Sequence, residues 1–218
     1  MDLTSRPVIE ANPAADAVRR VVDLIGAVLL LTLCAVPMLV IALAVWAGDH
    51  GPVFFRQERV GLGGRRFTML KFRTMTLGSG DAGLQELIAR ELRGEDTVVN
   101  GSAKLNDDKR VTGIGSVLRR TSLDELPQLI NVVRGEMSLV GPRPCLSWEA
   151  EMFPPQFRSR FSVRPGLTGL WQVSGRSTLG TLEMLQLDVC YVRTRTLLLD
   201  LLILLRTIPV VLRQDGAR

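Results

Sequence analysis

The sequence contains few of the residues on which many enzymes depend. It has one histidine, His50, and one tyrosine among 218 residues, which excludes most serine–histidine–aspartate, cysteine–histidine and multi-histidine metal chemistries. The three cysteines, Cys34, Cys145 and Cys190, have no paired spacing, which argues against a disulfide framework or a zinc site and fits a reducing compartment. Any catalysis must therefore use carboxylates and Lys or Arg side chains, with any metal being a hard cation bound through oxygen.

Motifs that read nucleic acid or cradle nucleotides are also missing. No P-loop or GxGxxG segment follows a convincing strand, and Gly61-Leu62-Gly63-Gly64 is better explained as a turn. The net charge of +5 and the pI near 9.7 indicate an anionic partner. Because no Lys/Arg-rich block or nucleic-acid-reading motif is present, phosphate or anionic lipid is favoured over nucleic acid.

Apolar residues make up 46% of the chain and are concentrated in residues 24–47 and 197–212. The first run is long enough to span a bilayer, starts too late for a signal peptide and lacks a cleavage site. Pro37, near its middle, predicts a kink. Arginines flank both ends, so the positive-inside rule selects no orientation. A kinked helix that enters and leaves one face, and a plain span with a tolerated proline, both remain open.

The remaining segments predict a mostly helical α+β protein. Between Gly51 and Met75, turn residues separate stretches rich in Val, Phe and Thr, which predicts a hairpin. Residues 78–101 predict a mobile, partly helical excursion. The last apolar run carries Asp200 and Arg206, which a second span would leave in hydrocarbon. It is therefore predicted to be a helix that lies in the membrane interface or packs on the domain.

Three regions follow from this pattern. We expect a loose lead-in over residues 1–18, a membrane helix over residues 19–48, and a catalytic domain over residues 49–218 that includes the C-terminal interfacial helix.

The adjacent acids Asp124 and Glu125 have a simple structural interpretation. Ser122 followed by Glu125 matches a capping box, and acids in a first turn complement the helix dipole. Pro127 argues against this interpretation, because a helix that starts at Leu123 needs a backbone N–H there.

Cationic side chains are dense around these acids. They are Arg119, Arg120, Arg134 and Arg143. Arg143 lies in Gly141-Pro142-Arg143-Pro144, where prolines fix the backbone and the glycine permits close approach. Guanidinium suits bidentate phosphate binding, although taken alone a surface arginine in a rigid turn is the simpler interpretation.

Long segments carry a resemblance that covers roughly residue 19 to the C-terminus. They are Arg19-Arg20 with the proline-broken apolar run, GPVFFRQERVG, KFRTM, LRRTSLDELPQL, SLVGPRP and RPGLTGLWQVSGR, followed by Asp188, Tyr191 and Asp200. In this order they resemble the bacterial sugar transferase family, the monotopic phosphoglycosyl transferases that start glycan assembly on undecaprenyl phosphate. The chain is similar to the short form of that family.

The resemblance implies a reaction and a location. A sugar-1-phosphate would pass from a nucleotide sugar, by family expectation a UDP-sugar, to undecaprenyl phosphate through a covalent aspartyl-phosphosugar. This would be the first membrane step of exopolysaccharide or glycan synthesis, at the cytoplasmic face of the bacterial inner membrane. The apolar run would be a re-entrant helix broken at Pro37, which favours the first of the two alternatives above.

The resemblance also implies site residues. Asp124 would be the nucleophile, and Glu125 together with Asp124 would hold Mg²⁺. Arg143 would bind phosphate, with Arg119 and Lys71 supporting it. Val36 stands where many members have serine before the proline, and residues 193–196 replace an aromatic-rich stretch.

One alternative from another class is a non-catalytic, membrane-bound subunit of a polysaccharide assembly complex. An inactive relative is expected to have lost some of Asp124, Glu125, Lys71 and Arg143, and all four are present. The sugar, the base, the glycan pathway and the oligomeric state are not encoded in any pattern that we recognise.

Overall fold

A computed structural model describes residues 13–75, 82–95, 97, 111–175 and 179–212. The α-helices are α1 (Pro13–Leu33), α2 (Ala35–Asp49), α3 (Ala82–Leu92), α4 (Gly113–Thr121), α5 (Gln128–Arg134), α6 (Ser147–Met152), α7 (Leu170–Ser174), α8 (Thr181–Thr194) and α9 (Leu197–Leu212). The strands are β1 (Phe54–Val60), β2 (Arg66–Phe72), β3 (Ser138–Val140) and β4 (Gly166–Thr168). The prediction of a mostly helical α+β chain is confirmed.

Helices α1 and α2 form one apolar segment that is bent by 62°. The break falls at Cys34, in the turn before Pro37, because the proline has no N–H and its ring crowds the carbonyl of Leu33. Within the described ranges, no single helix is long and apolar enough to cross a bilayer, whereas this bent pair meets that test. Helix α1 begins at Pro13, so the expected lead-in over residues 1–18 is wrong from Pro13 onward. Residues 1–12 lie outside the described ranges.

Both ends of the bent segment are attached to the rest of the protein. Near the start, Arg20 donates from Nη1 to the carbonyl of Val132 at 2.6 Å and from Nη2 to that of Val133 at 2.9 Å. Near the end, Val45 is buried with Phe72 and Leu118. The middle is exposed and apolar, with Leu29, Leu33, Val36, Leu39 and Val40 each more than half accessible.

Strands β1 and β2 form the expected hairpin. They pair antiparallel from Phe54 opposite Phe72 to Val60 opposite Arg66. Gly63 and Gly64 both have positive φ in the connecting turn, a conformation that glycine adopts without steric cost.

The region around the two acids differs from the capping-box interpretation. Ser122 has φ +57° and ends α4 in the left-handed conformation, and its side chain caps no helix. A 3₁₀ turn, Leu123–Glu125, follows, and α5 begins only after Pro127. The structure therefore excludes the capping-box interpretation, as Pro127 indicated, because the side chain of Ser122 makes no cap hydrogen bond. Gly135 ends α5 with φ +82°, as its type and position predict.

The main core lies where α1, α5, α8, α9 and the parallel pair β3–β4 meet. Its most buried members are Ala27, Leu129, Val132, Met137, Val192 and Ile203. Helix α9 packs on this core through Ile203 and presents Leu198, Leu201 and Leu205 to solvent. Asp200 accepts hydrogen bonds from Tyr191 at 2.7 Å and from Arg19 at 2.9 Å. The terminal helix therefore packs on the domain, and its position in a membrane interface stays a prediction.

Candidate active site

The 3₁₀ turn between α4 and α5 positions the acid pair. The chain reversal at Ser122 directs Asp124 inward, where it is 8% exposed, and leaves Glu125 partly accessible at its side. Pro127 keeps this turn apart from α5, because it cannot donate the hydrogen bond that would extend α5 backwards.

Strand β2 supplies the nearest cation. Lys71 Nζ lies 2.8 Å from Oε1 of Glu125. The fully buried Asn131 of α5 fixes the strand in place, since its amide donates to the carbonyl of Thr68 and accepts from the N–H of Leu70. Sequence reasoning missed Asn131, because its role depends on a strand more than fifty residues away.

The rigid turn after β3 supplies the second cation. Arg143 Nη1 lies 3.9 Å from Oε1 of Glu125, and 39% of its side chain is accessible. Gly141 makes the turn possible, because a Cβ there would lie 2.5 Å from the carbonyl oxygen of Arg164. The close approach expected for this glycine is therefore present, and it holds the turn against the segment that leads into β4.

A buried ion pair supports the same turn from behind. Arg160 donates from Nη2 to the backbone carbonyl of Arg143 at 2.9 Å and to Oδ2 of Asp188 at 2.7 Å. Arg160 and Asp188 are almost fully buried, so removal of either partner would leave an uncompensated charge. Asp188 was singled out by the resemblance without a role, and Arg160 lies in no motif that would have revealed it.

The surroundings of Asp124 perturb its ionisation. Burial raises the pKa of this carboxyl above its usual value, and neighbouring Glu125 adds to the elevation. The positive charges of Lys71, Arg143 and Arg119 act in the opposite direction and lower the pKa, with Lys71 the strongest of the three. A buried carboxylate with a perturbed pKa beside cations is typical of a functional site.

All five residues predicted for the catalytic and phosphate sites line one cavity of about 320 Å³. They are Lys71, Arg119, Asp124, Glu125 and Arg143. Arg120 and Arg134 are exposed and do not line it. Only two of the four arginines expected around the acids therefore line the cavity. The break at Pro37 lies in the bent helix pair and not in this cavity. Sequence reasoning missed Arg59, Glu149 and Trp171, which also line it.

Helix α3 forms another wall of the cavity. Leu84, Leu87 and Ile88 face it, and their spacing predicted a helix there. The buried carboxylate of Glu91 accepts from the N–H of Thr181 at 2.9 Å and from its hydroxyl, which joins α3 to the start of α8. The helical part of the excursion expected over residues 78–101 is confirmed. Its expected mobility stays a prediction, and residues 78–81, 96 and 98–101 lie outside the described ranges.

The carboxylates fit a magnesium ion that is bound partly by substrate. The described residues contain no group of three or more His, Cys, Asp or Glu side chains placed to hold a metal by themselves. Mg²⁺ is commonly held by one or two carboxylates together with substrate phosphates, and Asp124 and Glu125 form such a pair. The three cysteines are free thiols, in agreement with their unpaired spacing.

The site combines a partly buried carboxylate pair with two cations at its edge, in a cavity that several helices line, and the chain also carries an apolar bent helix pair. The model of the family described as "Bacterial sugar transferase" matches residues 14–214. The chain belongs to this family.

Named relatives agree with that membership. The chain is 41% identical over 206 residues to the exopolysaccharide production protein ExoY of Sinorhizobium fredii, covering 94% of this chain and 90% of the relative. It is 42% identical over 212 residues to the UDP-glucose:undecaprenyl-phosphate glucose-1-phosphate transferase of Caulobacter vibrioides, covering 94% and 73%. It is 45% identical over 212 residues to the UDP-galactose-lipid carrier transferase of Erwinia amylovora, covering 95% of this chain but only 43% of that relative.

Proposed function

We propose that the protein transfers a sugar-1-phosphate from a nucleotide sugar to undecaprenyl phosphate. The observation that carries the proposal is the buried carboxylate of Asp124, which lies in one cavity with Lys71, Arg119 and Arg143. The relatives' names support the substrate classes, since they include a UDP-glucose:undecaprenyl-phosphate transferase and exopolysaccharide production proteins. A UDP-sugar is the proposed donor, and an early membrane step of exopolysaccharide synthesis is the proposed setting.

The proposed reaction has two displacements at one phosphorus. In the first, an oxygen of Asp124 attacks the sugar-linked phosphorus, the diphosphate bond breaks, and nucleoside monophosphate leaves with the bridging oxygen. In the second, a phosphate oxygen of the lipid attacks the same phosphorus. The acyl-phosphate bond then breaks, the carboxylate is regenerated and a lipid-linked diphosphate sugar leaves. A carboxylate nucleophile requires no histidine, which agrees with the composition.

The cations have separate parts in this proposal. Arg143 would bind the diphosphate by paired hydrogen bonds, which its greater accessibility than that of Lys71 supports. Lys71 holds Glu125 and keeps part of Asp124 ionised. A magnesium ion held by Asp124, Glu125 and the substrate would neutralise diphosphate charge and the charge on the leaving group.

Re-entrance of the bent helix pair at the cytoplasmic face of the inner membrane is part of the same proposal. Its support is that the start of α1 and the end of α2 both contact the rest of the protein, while exposed apolar residues run along both helices and across the bend. A lipid phosphate lies at headgroup level, so an anchor of this kind would hold the cavity at the depth of its acceptor.

The covalent step is tested with Asp124→Asn. We expect the variant to release no nucleoside monophosphate and to acquire no radiolabel from a donor labelled in its sugar-phosphate, because the amide is a poor nucleophile. The assay uses purified protein, a panel of nucleotide sugars and undecaprenyl phosphate. The control variant is Arg120→Gln, at a residue that lies outside the cavity. Radiolabel retained on Asp124→Asn would remove Asp124 as the nucleophile.

Dependence on a divalent metal is tested separately. Chelation with EDTA is expected to stop nucleoside monophosphate release, and added Mg²⁺ to restore it, because the diphosphate charge is then neutralised again. Full activity in EDTA would remove the metal from the mechanism.

A further inference from the structure

A second cavity, of about 390 Å³, lies on the membrane-helix side of the acid pair. Its walls come from the C-terminal end of α1, from the 3₁₀ turn and the residues that flank it, from β3 and β4, from α7 and from the C-terminal half of α9. Most of the side chains are aliphatic, among them Leu30, Leu126, Val173, Leu204, Ile208 and Val211. We call this cavity the apolar groove.

The threonine hydroxyls along the groove are bonded within the protein, whereas the buried Oε1 of Gln172, where the groove meets the other cavity, has no hydrogen-bond partner among the described residues. The hydroxyls of Thr168 and Thr207 lie 2.8 Å apart in a mutual hydrogen bond. Thr207 also bonds the carbonyl of Ile203 at 2.8 Å, and Thr121 bonds the carbonyl of Val117 at 2.8 Å. The groove is therefore suited to a hydrocarbon occupant, because it offers few open hydrogen-bonding groups.

The groove continues into the cavity of the acid pair. Ser122, Glu125 and Gln172 line both cavities, so an occupant of the groove ends beside the carboxylates. At the other side, Ile208 lines the groove and is 57% exposed on the same face of α9 as Leu201 and Leu205. One end of the groove thus opens beside the site of phosphate chemistry, and its flank opens on an apolar surface.

We propose that the apolar groove binds the isoprenoid segment nearest the phosphate of the acceptor lipid. The inference rests on the proposed function, which requires a hydrocarbon chain joined to a phosphate that reaches Asp124. The groove supplies an apolar channel that ends at that point. Its volume is within the usual range for small-molecule sites, about 300–1,000 Å³, so it holds the first isoprene units and leaves the rest of the chain in the bilayer.

Photo-crosslinking tests the occupant directly. The probe is a polyprenyl phosphate with a diazirine in its first isoprene units, added to purified full-length protein in detergent micelles. We expect label on peptides that contain Val173 and residues 204–211, and competition by undecaprenyl phosphate but not by phosphatidylglycerol. Three outcomes would overturn the proposal. They are label confined to Leu198, Leu201 and Leu205, equal competition by phosphatidylglycerol, and crosslinks between two copies of the chain.

A groove-filling variant tests the consequence for turnover. Val211→Phe narrows the groove, whereas Leu205→Phe makes a comparable change on the exposed face of α9 and serves as the matched control. We expect Val211→Phe to raise the KM for undecaprenyl phosphate several-fold, and to raise the KM for geranyl phosphate by a similar factor because its two isoprene units are the ones nearest the phosphate. An unchanged KM in Val211→Phe, or an equal rise in Leu205→Phe, would contradict chain binding in the groove.

The first half-reaction separates this proposal from the proposed function. Nucleoside monophosphate release without any acceptor reports on the donor side alone, because the groove is proposed to hold only the acceptor. If the wild-type protein releases none, the covalent mechanism fails while the crosslinking pattern still decides the occupant of the groove.

Discussion

At the scale of single residues, Asp124 meets two opposing requirements. Burial raises the pKa of its carboxyl, which makes the carboxylate more basic but reduces the fraction that is ionised. The positive charges of Lys71, Arg143 and Arg119 lower the pKa again, which restores ionised carboxylate without exposing it to water. The site thus keeps a desolvated nucleophile charged by means of fixed cations.

The pH dependence of the first half-reaction follows from this balance. Attack requires ionised Asp124, so the rate is expected to fall as the pH drops through the elevated pKa. Lys71→Gln removes the strongest of the pKa-lowering charges, so the pKa rises further and the acid limb moves to higher pH. The measurement is nucleoside monophosphate release across a pH series.

Two variants control for simple damage to the site. Lys71→Arg keeps the charge and should leave the acid limb near its wild-type position. Arg120→Gln removes a cation from the same neighbourhood of the sequence but outside the cavity, and should not move the limb. An acid limb that stays in place in Lys71→Gln would contradict the assigned role of Lys71.

At the scale of elements, both ends of the bent helix pair contact the same domain. Its N-terminal end is held by Asp16, which pairs with Arg19 at 3.2 Å and with Arg195 at 2.9 Å. Its C-terminal end runs into β1 after only a few residues. An element fixed to the same domain at both ends is better suited to enter and leave one face than to cross a bilayer.

Thiol accessibility tests this arrangement. In a protein whose native cysteines are replaced, Ala17→Cys and Arg56→Cys place thiols at exposed positions beyond the two ends of the apolar run. If the pair is re-entrant, an impermeant maleimide should label both in inside-out vesicles and neither in intact spheroplasts. Val36→Cys, at the bend and 71% exposed, should resist labelling in both preparations because it lies in hydrocarbon. Labelling of Ala17→Cys in spheroplasts would demonstrate a true span.

The sequence predicted those structural elements that depend on residues within the element itself. The hairpin followed from its glycine turn, the end of α5 from Gly135, and the bend from Pro37. The Ser-x-x-Glu pattern at Ser122 also fits a capping box, and Pro127 was the local signal against it. The family resemblance indicated Lys71, Asp124 and Arg143 as site residues, and the structure places them together.

Other contacts could not be predicted because they join distant segments. Arg160 is 28 residues from Asp188, and Glu91 is 90 residues from Thr181. A charged residue in isolation does not reveal whether the fold will bury it beside a partner. The supporting residues behind the cavity were therefore found only in three dimensions.

At the scale of the whole molecule, the bent helix pair belongs to the core of the catalytic domain. Ala27 of α1 is fully buried in the main cluster with Leu129 and Ile203. Asp23, also buried, accepts a hydrogen bond from the N–H of Leu139 in β3 at 2.9 Å. Because α1 supplies both apolar packing and a backbone partner, the domain and its helix pair are expected to fold as one unit.

Substitution of Asp23 tests whether the helix pair and the domain fold as one unit. Asp23→Ala leaves the N–H of Leu139 buried without its partner, which is expected to cost about 1–3 kcal/mol of stability. For a chain of this size, each kcal/mol corresponds to a fall in Tm of roughly 2–4 °C. Asp23→Asn keeps an acceptor oxygen and should lose much less, and Val21→Ala, at an exposed position of the same helix, should lose little. If thermal unfolding in detergent shows the same Tm for Asp23→Ala and Val21→Ala, then α1 is an anchor attached to an independently stable domain. A lower Tm for Asp23→Ala alone means that the membrane segment and the catalytic cavity are stabilised together.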